Sequence, residues 1–411
     1  MSCCLGWVNI LLQVFRRGLG FGSLHRPSHP IDHRRTEGRP ARLIARRLLA
    51  AWLSLAALHG WAQQSTIVVG QSCDLSGVTA PRVKEFVKGV DAYIAQVNAQ
   101  GGVNGRQIRL VRYDDGFNTE KGLANAKRLV EQDEAMVFFG MGSAPVTAAV
   151  LPYAEAKGVP LFGSLSGADS LRKPHPLLFH FRASFGEEIN RIAQHFSTLG
   201  IKRIAALASD APIGQDGVVA LEQAAKTHGL EVVKVARVSA DMKNLNESAA
   251  AIAQAQPNAV LVLAPSGPAI KFIEALKKNQ VTAQLAGLSV MSIETLYKAL
   301  GSQVQGMIIS QVVPFPWNAR TGIVRDFQKL MSESQIAPSI DSMEGYVSAR
   351  LLVEGLKAAA QPLTRKSFVA ALEATKRRDL GGLSVAFAPA DHSLLQFVDI
   401  TMIGSGGKLI N

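Results

Sequence analysis

Beyond residue 65 the chain alternates short apolar segments with longer amphipathic ones. TIVVGQS (66–72), AMVFFG (135–140) and AVLVLA (259–264) are apolar runs that predict strands buried on both faces. The segments between such runs carry helix signals, such as the Pro that begins PRVKEFVKGVDAYIAQVNAQGG and the Asn118 or Thr119 that precedes TEKGLANAKRLVEQD. Strands that alternate with helices predict parallel sheets covered by helices on both faces.

This alternation occurs in two series, which predict an α/β protein with two doubly wound lobes. The first series ends with VPLFG (159–163), and the second extends from a helix at 187–199 to GMIIS (306–310). Beyond the Pro-punctuated VVPFPW (312–317) the pattern changes to three helices followed by two strand-like stretches. Such a tail fits a chain that crosses between the lobes more than once.

The region before this alternation has the features of an export signal. In RLIARRLLAAWLSLAALHGWAQQ, three Arg residues precede an apolar run of about a dozen residues (48–58), which is too short to span a bilayer. Small residues stand at Gly60 and Ala62, so we expect cleavage after Ala62. Residues 41–62 are thus interpreted as a signal peptide of a periplasmic protein, the alternatives being a buried helix or a membrane anchor. Residues 1–40 are interpreted as a disordered leader or a misassigned start.

Charge and composition narrow the class of protein. Residues 1–62 contain nine of the 44 Lys and Arg residues and two of the 32 Asp and Glu residues, so the remainder has a net charge of only +5. A net charge of +5 does not indicate a nucleic-acid-binding surface. No later segment is long and apolar enough to predict a membrane span. Cys73 is the only cysteine after the signal, which predicts a free, buried or partly buried thiol rather than a lipidation site.

Two polar turns are the main candidates for a ligand site. GMGSAP (140–145) matches only part of a dinucleotide fingerprint, because Pro145 replaces the third glycine. It is better interpreted as a turn that presents Ser143 and backbone N–H groups at the start of a helix, where a carboxylate is favoured. GSLSG (163–167) has Leu165 where a nucleophile elbow needs serine. Because both turns follow strands, Ser143, Ser164 and Ser166 are expected at one sheet edge.

Signs of catalysis and cofactor binding are missing from the sequence. The five His residues after the signal are scattered without paired ligand spacing, so no metal is expected. There is no Walker loop and no recognisable triad, and no cofactor is predicted. An exported enzyme is therefore the weakest of the functional hypotheses.

Four segments in order resemble one family. IVVGQSCDLSG, VNAQGGVNGRQIRLVRYDD, AKRLVEQDEAMVFFGMGS and YAEAKGVPLFGSLSGADSLR look like the amino-terminal lobe of leucine/isoleucine/valine-type substrate-binding proteins of ABC transporters. The resemblance continues through FHFRASFGEE and QVVPFP to SMEGYVSARLLVEGL and covers essentially 66–411. It implies the type I periplasmic binding protein fold, with two Rossmann-like lobes joined by a three-segment hinge that crosses near 183, 315 and 375. Lobe 1 is expected to comprise 66–182 and 316–374, and lobe 2 to comprise 183–315 and 375–411.

The resemblance also implies a ligand site. The family holds the ligand carboxylate with a serine after the third strand and with hydroxyl and amide groups after the fourth. An acid follows the FR motif, and Phe185 could supply an apolar wall. The positions that match in this chain are Ser143, Ala144, Ser164, Leu165, Ser166, Phe185 and Glu187.

One departure from the family affects the ligand. Amino-acid binders of the family have a glutamate for the ligand ammonium in a turn that here reads GLSV, with Ser289 in its place. Serine cannot neutralise an ammonium, and a buried unpaired charge is costly. An aromatic or aliphatic carboxylate is therefore a rival to a branched-chain amino acid.

The sequence thus predicts a monomeric periplasmic solute receptor that binds a small carboxylate-bearing molecule. Its implied partners are an inner-membrane ABC permease and the ATPase of that transporter. A sensory ligand-binding protein on the same fold remains an alternative. A neighbouring permease gene would favour transport, whereas a neighbouring histidine kinase gene would favour sensing.

Overall fold

The structure, a computed structural model, describes residues 66–386 and 392–411. The predicted leader and signal peptide lie outside these residues. Within the described part of the chain, no helix combines the length and apolar character needed to cross a membrane. Cys73 is a free thiol and is buried there, as the sequence predicted.

Strands and helices alternate as far as residue 311. The strands are β1 (Ile67–Cys73), β2 (Ile108–Asp114), β3 (Val137–Met141), β4 (Leu161–Ser164), β5 (Leu178–Phe179), β6 (Arg203–Ser209), β7 (Glu231–Val238), β8 (Ala259–Leu263), β9 (Gln284–Gly287), β10 (Ile308–Gln311), β11 (Arg378–Asp379), β12 (Ser384–Val385), β13 (Asp399–Ile403) and β14 (Leu409–Ile410). The helices are α1 (Ala80–Ala99), α2 (Thr119–Glu131), α3 (Ala144–Lys157), α4 (Phe185–Thr198), α5 (Pro212–His228), α6 (Leu245–Gln254), α7 (Ser266–Lys278), α8 (Ile293–Leu300), α9 (Gly322–Glu333), α10 (Ile340–Ala358) and α11 (Arg365–Glu373).

Local sequence signals explain several helix starts. Asn118 caps α2, since its side chain accepts a hydrogen bond from the backbone N–H of Lys121 at 2.9 Å. Helix α5 begins at Pro212. Proline suits the first position of a helix because its fixed φ is helical and its missing N–H would have no partner there.

The two large sheets of the described residues have the same strand pattern, and β11 and β12 pair separately as a two-stranded hairpin. In the described residues the first sheet has the parallel order β2-β1-β3-β4-β5. The second has the parallel order β7-β6-β8-β9-β10 and is extended at one edge by the antiparallel strands β13 and β14. The expected parallel α/β architecture is thereby confirmed. In such sheets, ligands bind beyond the carboxyl ends of the strands, where the strand order reverses.

Helices cover both faces of each sheet, as doubly wound lobes require. We call the first sheet with α1–α3 and α9–α11 the first lobe, and the second sheet with α4–α8 the second lobe. One face of the first sheet packs on α1 and α10 and the other on α2 and α3. In the second lobe α4 and α5 cover one face, while α6, α7 and α8 cover the other.

The third crossing between the lobes lies later than the sequence suggested. A crossing near 375 was expected, but Leu380, Leu383, Val385 and Leu394 are buried in the core of the first lobe. These apolar side chains hold the β11–β12 hairpin and the residues around Leu394 on that lobe. The chain therefore reaches the second sheet between Leu395 and β13.

Candidate functional site

A cavity of about 70 Å³ lies where strands of both sheets end. The first lobe contributes loops that follow β1, β2, β3 and β4, and the second contributes loops that follow β6, β8 and β9. The strand order reverses next to β1 in the first sheet and next to β6 in the second, and the loops at both reversals line this cavity. It has the position that ligand sites occupy in open α/β sheets.

The two lobes line this cavity with different chemistry. All polar side chains come from the first lobe, namely Thr79, Arg82, Ser143 and Ser166. The second lobe presents only apolar residues, which are Phe185, Ala211, Pro212, Ile213, Pro265 and Val290. Among the described residues, no lining side chain is a carboxylate.

Ser143 lies at this cavity and caps α3. Its Oγ accepts a hydrogen bond from the backbone N–H of Val146 at 3.3 Å, and the side chain is only 5% exposed. This turn has fewer free backbone N–H groups than we predicted. Pro145 has no N–H, and the N–H of Val146 donates to the Oγ of Ser143. The hydroxyl proton of Ser143 and the N–H of Ala144 are the donors that this turn offers.

The turn after β4 brings two of its three predicted residues to the cavity. Leu165 and Ser166 line it, and the Oγ of Ser166 accepts from the backbone N–H of Ala168 at 3.2 Å. Ser164 lies below the surface of the cavity, where its Oγ accepts hydrogen bonds from Thr147 at 3.0 Å and from the Ser166 N–H at 3.2 Å. Ser164 thus stabilises the turn and does not line the cavity.

The predicted acid Glu187 does not line the cavity, whereas Phe185 does. Glu187 forms a capping box with Ser184, in which its Oε2 accepts from the Ser184 N–H at 2.7 Å and its own N–H donates to the Ser184 Oγ at 3.0 Å. In this structure Glu187 therefore fixes the start of α4.

The next residue, Glu188, joins the crossing segment to the second lobe. Its buried carboxylate accepts hydrogen bonds from Arg182 at 3.1 Å, from the Ser289 N–H at 2.8 Å and from Ser310 at 2.6 Å. Arg182 also donates to the carbonyl oxygen of Leu165 at 2.9 Å and to the Oγ of Ser289. Ser289, expected at the ligand, is instead part of this buried network.

Arg82 extends this buried network to the cavity. Arg82 was not predicted as a site residue from the sequence. It is 4% exposed, its Nη2 donates to Glu344, and its Nε lies 3.2 Å from Asp341. Arg182 also contacts Glu344 at 3.2 Å, so the Glu344 carboxylate links the two arginines. Burial raises the pKa of Asp341 to about 7 against the opposing effect of Arg82. One signal in the sequence could have indicated that Arg82 is buried: it lies four residues before Phe86, so both side chains are on the same face of α1.

A larger cavity of about 780 Å³ lies beside the first. Ser289 lines it and the adjacent Val290 lines the smaller cavity, so the two cavities are neighbours. Its lining includes Ser292, Tyr297, Trp317, Asp341 and Lys408. Apart from Ser289, none of the residues predicted for the site lies there. No group of acidic, His or Cys side chains suited to hold a metal occurs in residues 66–386 and 392–411.

Comparison with known proteins gives a family and a fold. The profile of the family described as "Periplasmic binding protein" matches residues 66–408. A relative in Brucella abortus (strain 2308), named Leu/Ile/Val-binding protein homolog 7, is 31% identical over 121 residues, which is 29% of this chain and 30% of that protein. The chain spans 20 to 30% of the length of the first curated relatives that it matches.

Solved structures match over a longer range. An extracellular ligand-binding receptor from Verminephrobacter eiseniae ef01-2 is 29% identical, with a TM-score of 0.77 over 84% of this chain and 100% of that one. An ABC transporter solute-binding protein from R. palustris in complex with benzoate is 22% identical, with a TM-score of 0.71 over 84% and 95% of the two chains. At that identity the likeness concerns the fold.

Proposed function

Since the chain belongs to the periplasmic binding protein family, whose members bind solutes and are not enzymes, we propose that it is the solute receptor of an ABC importer. It captures a small carboxylate-bearing molecule between its two lobes. The observation that carries this proposal is the cavity that both sheets build at their carboxyl ends. The name of the Brucella relative and the benzoate complex from R. palustris agree with a ligand of this class.

Binding is coupled to closure of the lobes. A ligand that contacts Ser143 and Ser166 on one lobe and Phe185 and Ile213 on the other gains its full set of contacts only when the lobes are together. The ligand shifts the equilibrium toward the closed state through this difference in contacts. Three crossing segments, including the one at Arg182, serve as the hinge.

The receptor is exported to the periplasm and works there with the membrane parts of the transporter. The export signal at 41–62, cleaved after Ala62, delivers the receptor to the periplasm. There the closed receptor docks on an inner-membrane permease, whose ATPase drives import. The receptor acts as a monomer and requires no cofactor or metal for binding.

The test is a thermal-shift screen of the purified protein against branched-chain amino acids, aromatic acids and short aliphatic acids. A ligand at a hundred times its Kd adds about 2.7 kcal/mol to the free energy of unfolding, which is readily detected. If no carboxylate of any kind stabilises the protein, the proposal is wrong.

The Ser143→Ala variant then locates the site. Loss of a hydrogen bond to a charged ligand costs about 1.5–3 kcal/mol, so we expect the Kd to rise by about 10- to 100-fold. Ser292→Ala is the matched control, because Ser292 also caps a helix but lines the larger cavity. Both variants lose a cap worth about 1 kcal/mol, and only Ser143→Ala should weaken binding. The reverse result would move the site to the larger cavity.

A further inference from the structure

Resting on the proposed function, we propose that the ligand is a monocarboxylate without an amino group. Arg82 and the hydroxyls of the first lobe hold its carboxylate, and the second lobe packs against its apolar body. The substrate class is thus an aliphatic or aromatic acid rather than a zwitterionic amino acid. Arg82 is a ligand-binding residue in this assignment.

The residues described at the cavity include no group that could neutralise a positive charge on the ligand. An ammonium buried there would need a carboxylate, and the described lining offers none. Glu188, the acid at the start of the second lobe, is 0% exposed and already bonded to Arg182, Ser289 and Ser310. An amino acid would therefore leave its positive charge without a partner.

The second-lobe wall of the cavity, which would face the amino group, is apolar. Every second-lobe residue at the cavity is apolar, and Pro212 and Pro265 also lack an N–H group. Helix α5 begins at Pro212, so the positive end of its dipole lies at the same wall. This wall suits a methyl-bearing chain or an aromatic ring and disfavours a cation.

The first-lobe wall of the cavity offers donors for the carboxylate end of the ligand. Arg82 is the one charged side chain in the described lining, and its contacts with Glu344 and Asp341 use Nη2 and Nε. No hydrogen bond of Nη1 to the described residues is found, so this nitrogen remains for a ligand oxygen. Ser143 and Ser166 add hydroxyl donors from the strand ends on the same lobe. Carboxylates bind well to such a set of charged and neutral donors.

The cavity also limits the size of the ligand. Its volume of about 70 Å³ is smaller than the ~150 Å³ cavity that binds benzene in another protein. A short branched acid needs little movement of the lobes, whereas a ring requires them to stand further apart. The panel should therefore cover both sizes.

The experiment compares matched acids that differ only in the amino group. Isothermal titration of the purified protein would use 3-methylbutanoate against valine, 4-methylpentanoate against leucine, and 3-phenylpropanoate against phenylalanine, with benzoate added. We expect the amine-free member of the best-binding pair to bind at least 100-fold more tightly. Equal or tighter binding of the amino acid would overturn this inference and leave the proposed receptor function intact. If no acid of either kind binds, the receptor function itself fails, and the inference fails with it.

A designed change of specificity supplies the second readout. Val290→Glu places an acid in the second-lobe wall, and Val290→Gln is the isosteric control without charge. Since Val290 lies in a loop after β9 and is partly exposed, both variants should fold. We expect Val290→Glu, but not Val290→Gln, to shift the affinity ratio toward the amino acid by at least tenfold. An unchanged ratio in Val290→Glu would contradict the assigned orientation of the ligand.

Discussion

Glu188 and Glu187 are adjacent acids with different structural roles, and a pair of Gln variants should separate them. The Glu188→Gln variant removes the charge from a carboxylate that accepts hydrogen bonds from Arg182, Ser289 and Ser310. The new amide nitrogen can only donate, although each of its surrounding partners donates to this position. The Glu187→Gln variant leaves the capping box intact, because glutamine forms the same box.

The expected cost follows from burial. Breaking a buried ion pair by removing one partner costs about 3–5 kcal/mol. Arg182 retains Glu344 at 3.2 Å, so we expect the lower end of this range, about 3 kcal/mol. For Glu187→Gln we expect less than about 0.5 kcal/mol, as is usual for substitutions away from buried networks.

Equilibrium urea unfolding followed by circular dichroism gives both values. The midpoint should fall clearly for Glu188→Gln, with the slope unchanged, since the surface exposed on unfolding is the same. If the two variants differ by less than 1 kcal/mol, or if Glu187→Gln is the more destabilised, the roles assigned to these acids are wrong.

Three titrating groups give further predictions. Burial raises the pKa of Asp341 from 3.8 to about 7, so the folded state holds a proton that the unfolded chain releases, and stability is lost as pH rises from about 4 to 7. Urea midpoints at pH 5 and 8 should show that Asp341→Asn removes this loss, and an unchanged pH slope would contradict it. Burial lowers the pKa of His180 to about 3, so its NMR signal should not titrate between pH 8 and 5, and stability should fall as pH drops below 6.5. Burial raises the pKa of the Cys73 thiol to about 12, so iodoacetamide should label Cys73 of residues 63–411 only in urea; rapid labelling of Cys73 in the folded protein would show that the thiol is accessible.

The sequence was sufficient to predict most elements of the two large sheets and the sheet edge at which the small cavity lies. Apolar runs predicted β1, β3 and β4, and parallel strand ends brought Ser143 and Ser166 to one cavity. These features depend on local periodicity and on the geometry that all parallel sheets share.

Contacts between distant segments could not be predicted in this way. Arg82 and Glu344 are 262 residues apart, and no periodicity in one sequence records such a pair. Glu187 and Glu188 are neighbours that project about 100° apart on a helix, so the sequence alone does not show which of them forms the capping box and which is buried in the network. The third crossing was misplaced because β11 and β12 are two-residue strands with almost no pattern.

The most direct test of the account is a crystal structure of the protein with the tightest acid found in the screen. We expect the carboxylate to lie within hydrogen-bond distance of Ser143, Ser166 and Arg82 Nη1, with the rest of the ligand against Phe185 and Ile213. A ligand bound instead in the larger cavity beside Trp317, or one that contacts a single lobe, would contradict it.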